Sequence, residues 1–245
     1  MKIKASVLAI KKITQLAALS FTLSILAPMT SAYADETSCS PFTPLLKGQE
    51  DFVYVWTLGE KGLGDGSDKL VTVDANPSSA NYGKVIAKVS VGGRGEAHHM
   101  GYTDDRKFLW AGALDSNKIF IFDVATNPAK PKLVRTIKNF VAKAGLVGPH
   151  TFYATPGRML VGALSNPKDH GGKTGIATYT NSGQYVTTTM MPTTGGGDGF
   201  GYDLAINPNK NAMLTTSFTG WNNYMMDLGK LIKDGEAMKQ FGNTS

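Results

Sequence analysis

Apolar residues come in short runs along this chain, each closed by a cluster of Gly, Asn, Asp, Pro, Ser or Thr, and the runs recur in a fixed order. The first pair is Lys69-Leu70-Val71-Thr72-Val73-Asp74, a turn at Ala75-Asn76-Pro77, and Lys84-Val85-Ile86-Ala87-Lys88-Val89. It returns as Lys118-Ile119-Phe120-Ile121-Phe122-Asp123, Asn127-Pro128 and Lys132-Leu133-Val134-Arg135-Thr136-Ile137, with Asp123 standing 49 residues after Asp74. A more diverged third copy runs through Gly175-Ile176-Ala177-Thr178-Tyr179, a turn at Asn181-Ser182-Gly183, and residues 184–189. Short apolar runs bounded by turn residues predict strands joined in hairpins.

A second kind of pair alternates with the first. Residues 99–103 precede Phe108-Leu109-Trp110-Ala111-Gly112-Ala113-Leu114, and residues 150–154 precede a turn at Thr155-Pro156-Gly157 and then Met159-Leu160-Val161-Gly162-Ala163-Leu164. Its third version is Tyr202-Asp203-Leu204-Ala205-Ile206, a turn at Asn207-Pro208-Asn209, and Ala212-Met213-Leu214-Thr215-Thr216. Four short strands in every roughly fifty residues is the signature of a β-propeller blade. A β-sandwich also supplies short strands, but it does not explain two hairpin types alternating at one period. The spacing predicts an all-β chain of consecutive four-stranded blades with boundaries near Val91, Asn139 and Thr193, and room for about three and a half blades.

The candidate chemistry sits where the second kind of pair begins. His98 and His99 lie in Gly-Glu-Ala-His-His-Met-Gly-Tyr, and His150 opens the equivalent strand of the next repeat. Neutral imidazole is the commonest protein ligand of transition metals. Equivalent strands of neighbouring blades bring such residues towards one axis, so these three are the candidate metal ligands. A hydrogen-bonded structural histidine is the competing reading. Successive side chains on a strand point to opposite faces, so His98 and His99 can share one ion only where the backbone leaves the pleat; otherwise one of them orients the other. Tyr202 and Asp203 occupy the corresponding place in the third repeat and are candidates for supporting the site, with Asp203 accepting a histidine N–H or binding metal. No catalytic residue is assigned. His170 lies in a Gly- and Lys-rich loop and reads as a surface residue. Residues 195–201 are glycine-rich but lack the following Lys-Ser/Thr and helix of a phosphate loop, so they read as a crowded turn between blades.

Composition changes this picture in two places. Residues 1–34 read as a secretory signal: four lysines, an apolar stretch around residues 16–27, then Ala32-Tyr33-Ala34 before Asp35. The stretch is shorter than the roughly 20 residues a membrane span needs, so export to the periplasm or beyond, with no membrane anchor after cleavage, is expected and residues 35–245 form the partial propeller domain. The signal holds 4 of the 25 basic residues and none of the 19 acidic ones, so 25 − 4 = 21 against 19 leaves +2 in place of the formal +6. No Lys/Arg cluster follows, which removes the case for nucleic-acid binding. Cys39 is the only cysteine, so no disulfide closes within the chain; it is a candidate thiol for metal, selenium or redox chemistry, beside its reading as an inert tail thiol.

Several of these stretches, taken in order, resemble the selenium-binding protein family: Glu96-Ala97-His98-His99 with Gly101-Tyr102, the turn at residues 74–77, Gly201-Tyr202-Asp203 with Asn207-Pro208 and Met213, the segment after Thr219, and residues 51–58 following Cys39-Ser40-Pro41. The resemblance covers the chain after residue 34. It implies a seven-bladed propeller and copper-dependent oxidation of methanethiol, with oxygen and water, to formaldehyde, hydrogen sulfide and hydrogen peroxide. It also implies that His98, His99 and His150 belong to the metal site. The family continues for about as many residues again, so the expected partners are a small thiol, oxygen and a separate C-terminal half. A propeller left open exposes an unpaired strand edge, and residues 221–240 are expected to form a short helix that covers one. The alternative is a non-catalytic metal- or selenium-binding propeller, or an inactive remnant.

If the signal reading holds, intact mass and N-terminal sequencing of the exported protein give a chain that starts at Asp35. Recovery of a product that retains residues 1–34 rules the reading out.

Overall fold

The computed structural model describes residues 40–44, 48–168, 172–224 and 226–242. The repeats fold as separate antiparallel sheets in chain order. Strands β1 (Phe52–Thr57), β2 (Lys69–Asp74) and β3 (Val85–Ser90) form the first. The second holds β4 (Ala97–Tyr102), β5 (Phe108–Ala113), β6 (Lys118–Asp123) and β7 (Lys132–Ile137). The third holds β8 (Val147–Thr155), β9 (Arg158–Ser165), β10 (Gly175–Thr180) and β11 (Tyr185–Met190), and β12 (Leu204–Asn207) with β13 (Ala212–Thr215) forms a two-stranded fourth. Within each sheet, every strand pairs with its neighbour in sequence. Segments 69–90 and 118–137 stand in different sheets, as a propeller-like repeat requires and a sandwich hairpin does not. The sheets end at Ser90, Ile137 and Met190, one to three residues from the boundaries expected at Val91, Asn139 and Thr193.

Period-two alternation stacks the sheets face to face. In the second sheet Leu109, Ala111, Ala113, Phe120 and Phe122 join a core with Trp56 and Leu70 of the first sheet. The intervening Trp110, Ile119 and Ile121 join Phe152, Met159, Val161, Ala177 and Tyr179 of the third. Both faces of β5 and β6 are therefore apolar, and these strands read as continuous hydrophobic runs because polar alternation has no solvent face to serve. The indole N–H of Trp56 donates to the Gly112 carbonyl at 2.8 Å, and the backbone N–H of Ile206 donates to the Tyr153 hydroxyl at 3.0 Å, so polar bonds also cross between sheets.

Two glycines set how closely neighbouring segments approach. At Gly101 in β4 a Cβ would lie 2.4 Å from the Phe152 carbonyl oxygen, so only a bare backbone lets β4 lie against β8. Gly148 has φ +68°, and a Cβ there would strike the Trp221 ring, which packs over the start of β8. One helix, α1 (Phe140–Ala144), bridges the second and third sheets. The single helix expected over residues 221–240 is instead broken into three short ones, α2 (Trp221–Tyr224), α3 (Leu228–Leu231) and α4 (Gly235–Gly242). The Asp227 side chain accepts from the Lys230 N–H at 3.2 Å and restarts the backbone as α3. Among the described residues no helix is long and apolar enough to cross a membrane.

Trp110 is fully buried against Phe152 and Tyr179, with ring centroids at 6.4 and 5.8 Å. Trp110→Ala is expected to cost about 3–5 kcal/mol in chemical denaturation, while Val134→Ala, at a half-exposed position, stays within about 0.5 kcal/mol. Equal losses in the two variants would mean that Trp110 does not hold the second and third sheets together.

Candidate metal centre

The candidate histidines sit on the first strands of their sheets, β4 and β8, which lie against each other. In β4 the register steps from Ala97↔Ala113 to Met100↔Ala111, so His98 and His99 together oppose the single residue Gly112. That is a β-bulge, which adds one residue to a strand and cancels the alternation that would otherwise send the two rings to opposite faces. In β8 the register steps from Pro149↔Ala163 to Phe152↔Val161, and His150 and Thr151 oppose Gly162. The third repeat does the same by hydrogen bonding: Tyr202 N–H donates to the Thr216 carbonyl at 2.8 Å and Thr216 N–H donates to the Asp203 carbonyl at 3.0 Å. The pairs His98/His99, His150/Thr151 and Tyr202/Asp203 are thus equivalent positions of three bulged strands.

The three imidazoles converge. Ring centroids are 4.6 Å apart for His98 and His99, 4.8 Å for His98 and His150, and 4.3 Å for His99 and His150, and one nitrogen from each lies within 4.8 Å of the others. Nitrogens bound to one ion at about 2.0–2.1 Å in tetrahedral geometry stand about 3.4 Å apart. The donor nitrogens here lie within a wider 4.8 Å of one another, and two of the three rings, His98 and His99, are only half-buried. His150 has no solvent exposure, and its Nε2 is buried with no hydrogen-bond partner. A buried imidazole nitrogen without a hydrogen-bond partner is a costly arrangement in the absence of a ligand, and a donor set of three imidazoles suits a transition-metal ion.

Burial, reinforced by His99 and His98 beside it, pushes the His150 imidazole down to about 2, so it stays neutral and able to bind metal. Burial and the neighbouring His99 lower His98 as well. Glu96 precedes the pair with φ +65°; burial and a hydrogen bond with Asp115 raise its carboxyl above the usual range.

Tyr202 and Asp203 both lie at the cluster, Tyr202 against the His150 ring and Asp203 against Thr151. The Tyr202 ring lies 4.2 Å from that of His150 and begins an aromatic series through Phe218 at 5.0 Å to Tyr224 at 5.8 Å from Phe218. Asp203 touches Thr151, whose hydroxyl stands 3.0 Å from Asp203 Oδ1, 3.0 Å from the Tyr202 carbonyl and 3.1 Å from His150 Nδ1. Asp203 therefore meets His150 through a hydroxyl that the sequence pattern alone does not single out. The three bulged strands laid in register would reveal it, because Thr151 stands where the other repeats carry His99 and Asp203. Cys39 and His170 lie outside the described residues; Ser40, next to Cys39, is buried and its hydroxyl donates to the Ala154 carbonyl at 2.5 Å.

An all-β stack of propeller-like sheets with a three-histidine cluster between neighbouring strands defines a class of candidate metalloprotein, and similarity to known proteins narrows it. The chain belongs to the 56 kDa selenium binding protein family, whose model matches residues 33–243. It is 64% identical over 219 residues to a methanethiol oxidase of a Hyphomicrobium species, covering 89% of this chain and 50% of that protein. It is 55% identical over 225 residues to a methanethiol oxidase of Ruegeria pomeroyi, covering 87% and 52%. An X-ray structure of a hypothetical selenium-binding protein from Sulfolobus tokodaii superposes with a TM-score of 0.64 at 25% identity, over 77% of this chain and 45% of that one. The chain spans about half the length of the curated relatives it matches.

Holding His150 neutral makes the metal-free protein sensitive to acid. Below the ordinary histidine value of 6.5 the unfolded chain takes up a proton that the folded chain cannot hold until about 2. The folded state therefore loses stability as pH falls from 6.5 and gains nothing from this group above it. Compared with a His150→Gln variant, the unmodified chain is expected to lose up to about 1.4 kcal/mol more per pH unit between about pH 6.5 and 5 in urea titrations. Parallel pH profiles for the two proteins would show that His150 is not buried neutral.

Proposed function

We propose that this chain is the N-terminal half of a methanethiol-oxidising enzyme, with copper held by His98, His99 and His150 in a propeller of the family's seven-bladed kind. The convergence of three imidazoles, one of them with a buried, unpartnered Nε2, is the observation that carries this reading, and the two oxidase relatives supply the reaction. Residues 1–34 act as an export signal and direct the reaction to the periplasm or outside the cell.

The reaction balances as methanethiol, oxygen and water giving formaldehyde, hydrogen sulfide and hydrogen peroxide. Carbon is oxidised, oxygen is reduced to peroxide and the C–S bond is replaced by C=O. Copper, when bound, supplies one-electron exchange with oxygen and a soft site for the thiol sulfur. The chain's own residues do the rest. The bulges of β4 and β8 hold the imidazoles on one side of their strands, and burial lowers the pKa of His98 and His150, so protons compete less for these two donors. Tyr202, Phe218 and Tyr224 form an aromatic wall beside His150 that suits a methyl group better than a hydrated anion. The second half of the propeller, in the same polypeptide or a separate one, closes the channel around this face.

A second reading, metal or selenium binding without turnover, follows from the fact that all three donors come from two adjacent sheets.

Both readings predict metal uptake by the purified chain, measured by elemental analysis after copper loading and desalting. His150→Ala is expected to remove most of the bound copper, and His170→Ala none. Methanethiol-dependent oxygen consumption and formaldehyde release should appear when the matching C-terminal half of the Hyphomicrobium relative is co-expressed, and should be weak in the chain alone. Copper uptake without turnover in the reconstituted protein favours the binding reading; equal copper loss in the two histidine variants removes the shared site from both.

A further inference from the structure

The surroundings of His150 decide which of its nitrogens carries the ring proton. Thr151 Oγ1 makes three polar contacts: the Tyr202 backbone carbonyl at 3.0 Å, Asp203 Oδ1 at 3.0 Å and His150 Nδ1 at 3.1 Å. A hydroxyl has one proton to give. A backbone carbonyl only accepts, and so does an ionised carboxylate, so the two oxygen contacts are attractive only if the hydroxyl proton points to that side. Its lone pairs then face His150, and Nδ1 must be the N–H. A neutral imidazole has a single N–H, which leaves a bare lone pair on Nε2, the buried atom with no partner.

From this geometry we propose that Thr151 and Asp203 are positioning residues for a metal ligand: Asp203 orients the Thr151 hydroxyl, Thr151 holds His150 as its Nδ1–H tautomer, and Nε2 is thereby presented to the ion. The last step rests on the copper-site reading proposed for the three histidines. The ligand belongs to the third sheet, whereas the group that orients it stands at the same bulge position one repeat later, next to Tyr202. A repeat without a histidine is in this way recruited to the histidine before it. Outer partners of metal-bound histidines act by fixing tautomer and ring angle, and losing one costs about 10–100-fold in metal affinity.

A merely structural hydroxyl that ties β8 to the third-repeat strand would leave the tautomer unchanged, so the test reads protonation as well as binding. In the metal-free chain labelled with 15N-histidine, long-range proton–nitrogen correlation spectra are expected to show His150 protonated at Nδ1. Thr151→Ser should keep that pattern, and Thr151→Val should lose it for Nε2–H or a mixture. Titration with copper(I) against a chromophoric chelator should show about 10–100-fold weaker binding for Thr151→Val and unchanged binding for Thr151→Ser. Asp203→Ala, at a half-buried position, provides a second variant should Thr151→Val not fold; it should weaken binding in the same direction. An Nε2–H tautomer in the unmodified chain overturns the relay, as does a folded Thr151→Val protein with unmodified tautomer and affinity. An unmodified chain that shows Nδ1–H yet takes up no copper overturns the copper-site reading, and with it the presentation of Nε2 to an ion.

Discussion

Strict alternation would send His98 and His99 to opposite faces of β4, and His150 and Thr151 to opposite faces of β8. One extra residue in each strand prevents this, and the candidate site depends on it. Each bulge faces a glycine, Gly112 or Gly162, on the neighbouring strand of its sheet. At Gly112 a Cβ would come within 2.8 Å of both the Pro149 carbonyl and the Phe152 ring, so the residue opposite the histidine pair is also the residue that lets the third sheet lie close. The bulge and the sheet spacing are consequently one constraint: a side chain at Gly112 would push β8 away and take His150 out of reach of His98 and His99.

The site combines one fully buried imidazole with two half-buried ones. His150 is sealed beneath Tyr202 and tied at Nδ1, in a strand whose residues are buried from Val147 to Ala154. His98 and His99 are half-buried on a shorter, less enclosed strand. Three rigid imidazoles would have to be placed to within tenths of an ångström to meet an ion, and three mobile ones would lose conformational entropy on binding. Here one ring is fully enclosed and two are partly exposed, a mixture of the two cases. The crossed ring planes, 81° between His98 and His99 and 64° between His99 and His150, keep the nitrogens from competing for one direction of approach.

Most of the architecture is legible in the sequence because its cause is local. Hairpins whose two faces must both be apolar leave short runs such as Ile119-Phe120-Ile121-Phe122 between turn residues, and their roughly fifty-residue recurrence specifies sheets in series. The histidines are legible for the same reason, as equivalent residues of successive repeats. The bulges are not, because an inserted residue changes no residue type; only the register of Ala97 and Met100 against Ala113 and Ala111 reveals the first of them. Thr151 escapes notice because threonine is ordinary on a strand, and its importance comes from Asp203, a contact 52 residues away. The break of residues 221–240 into three short helices is equally hidden, since it follows from the packing of Trp221 against Gly148 and the cap at Asp227.

Because the backbone ladders of the two ligand-bearing sheets run within each sheet, and the sheets meet largely through apolar side chains, the donors' positions follow from two neighbouring repeats. The third repeat contributes orientation, through Asp203 and Tyr202, but no histidine. Holding an ion and turning over a substrate therefore make different demands on this architecture. The first needs the second, third and fourth sheets in contact. The second would also need water kept from the half-buried side of His98 and His99, because a closed, dry site strengthens the electrostatic interactions a reaction uses and shields reactive intermediates from hydrolysis.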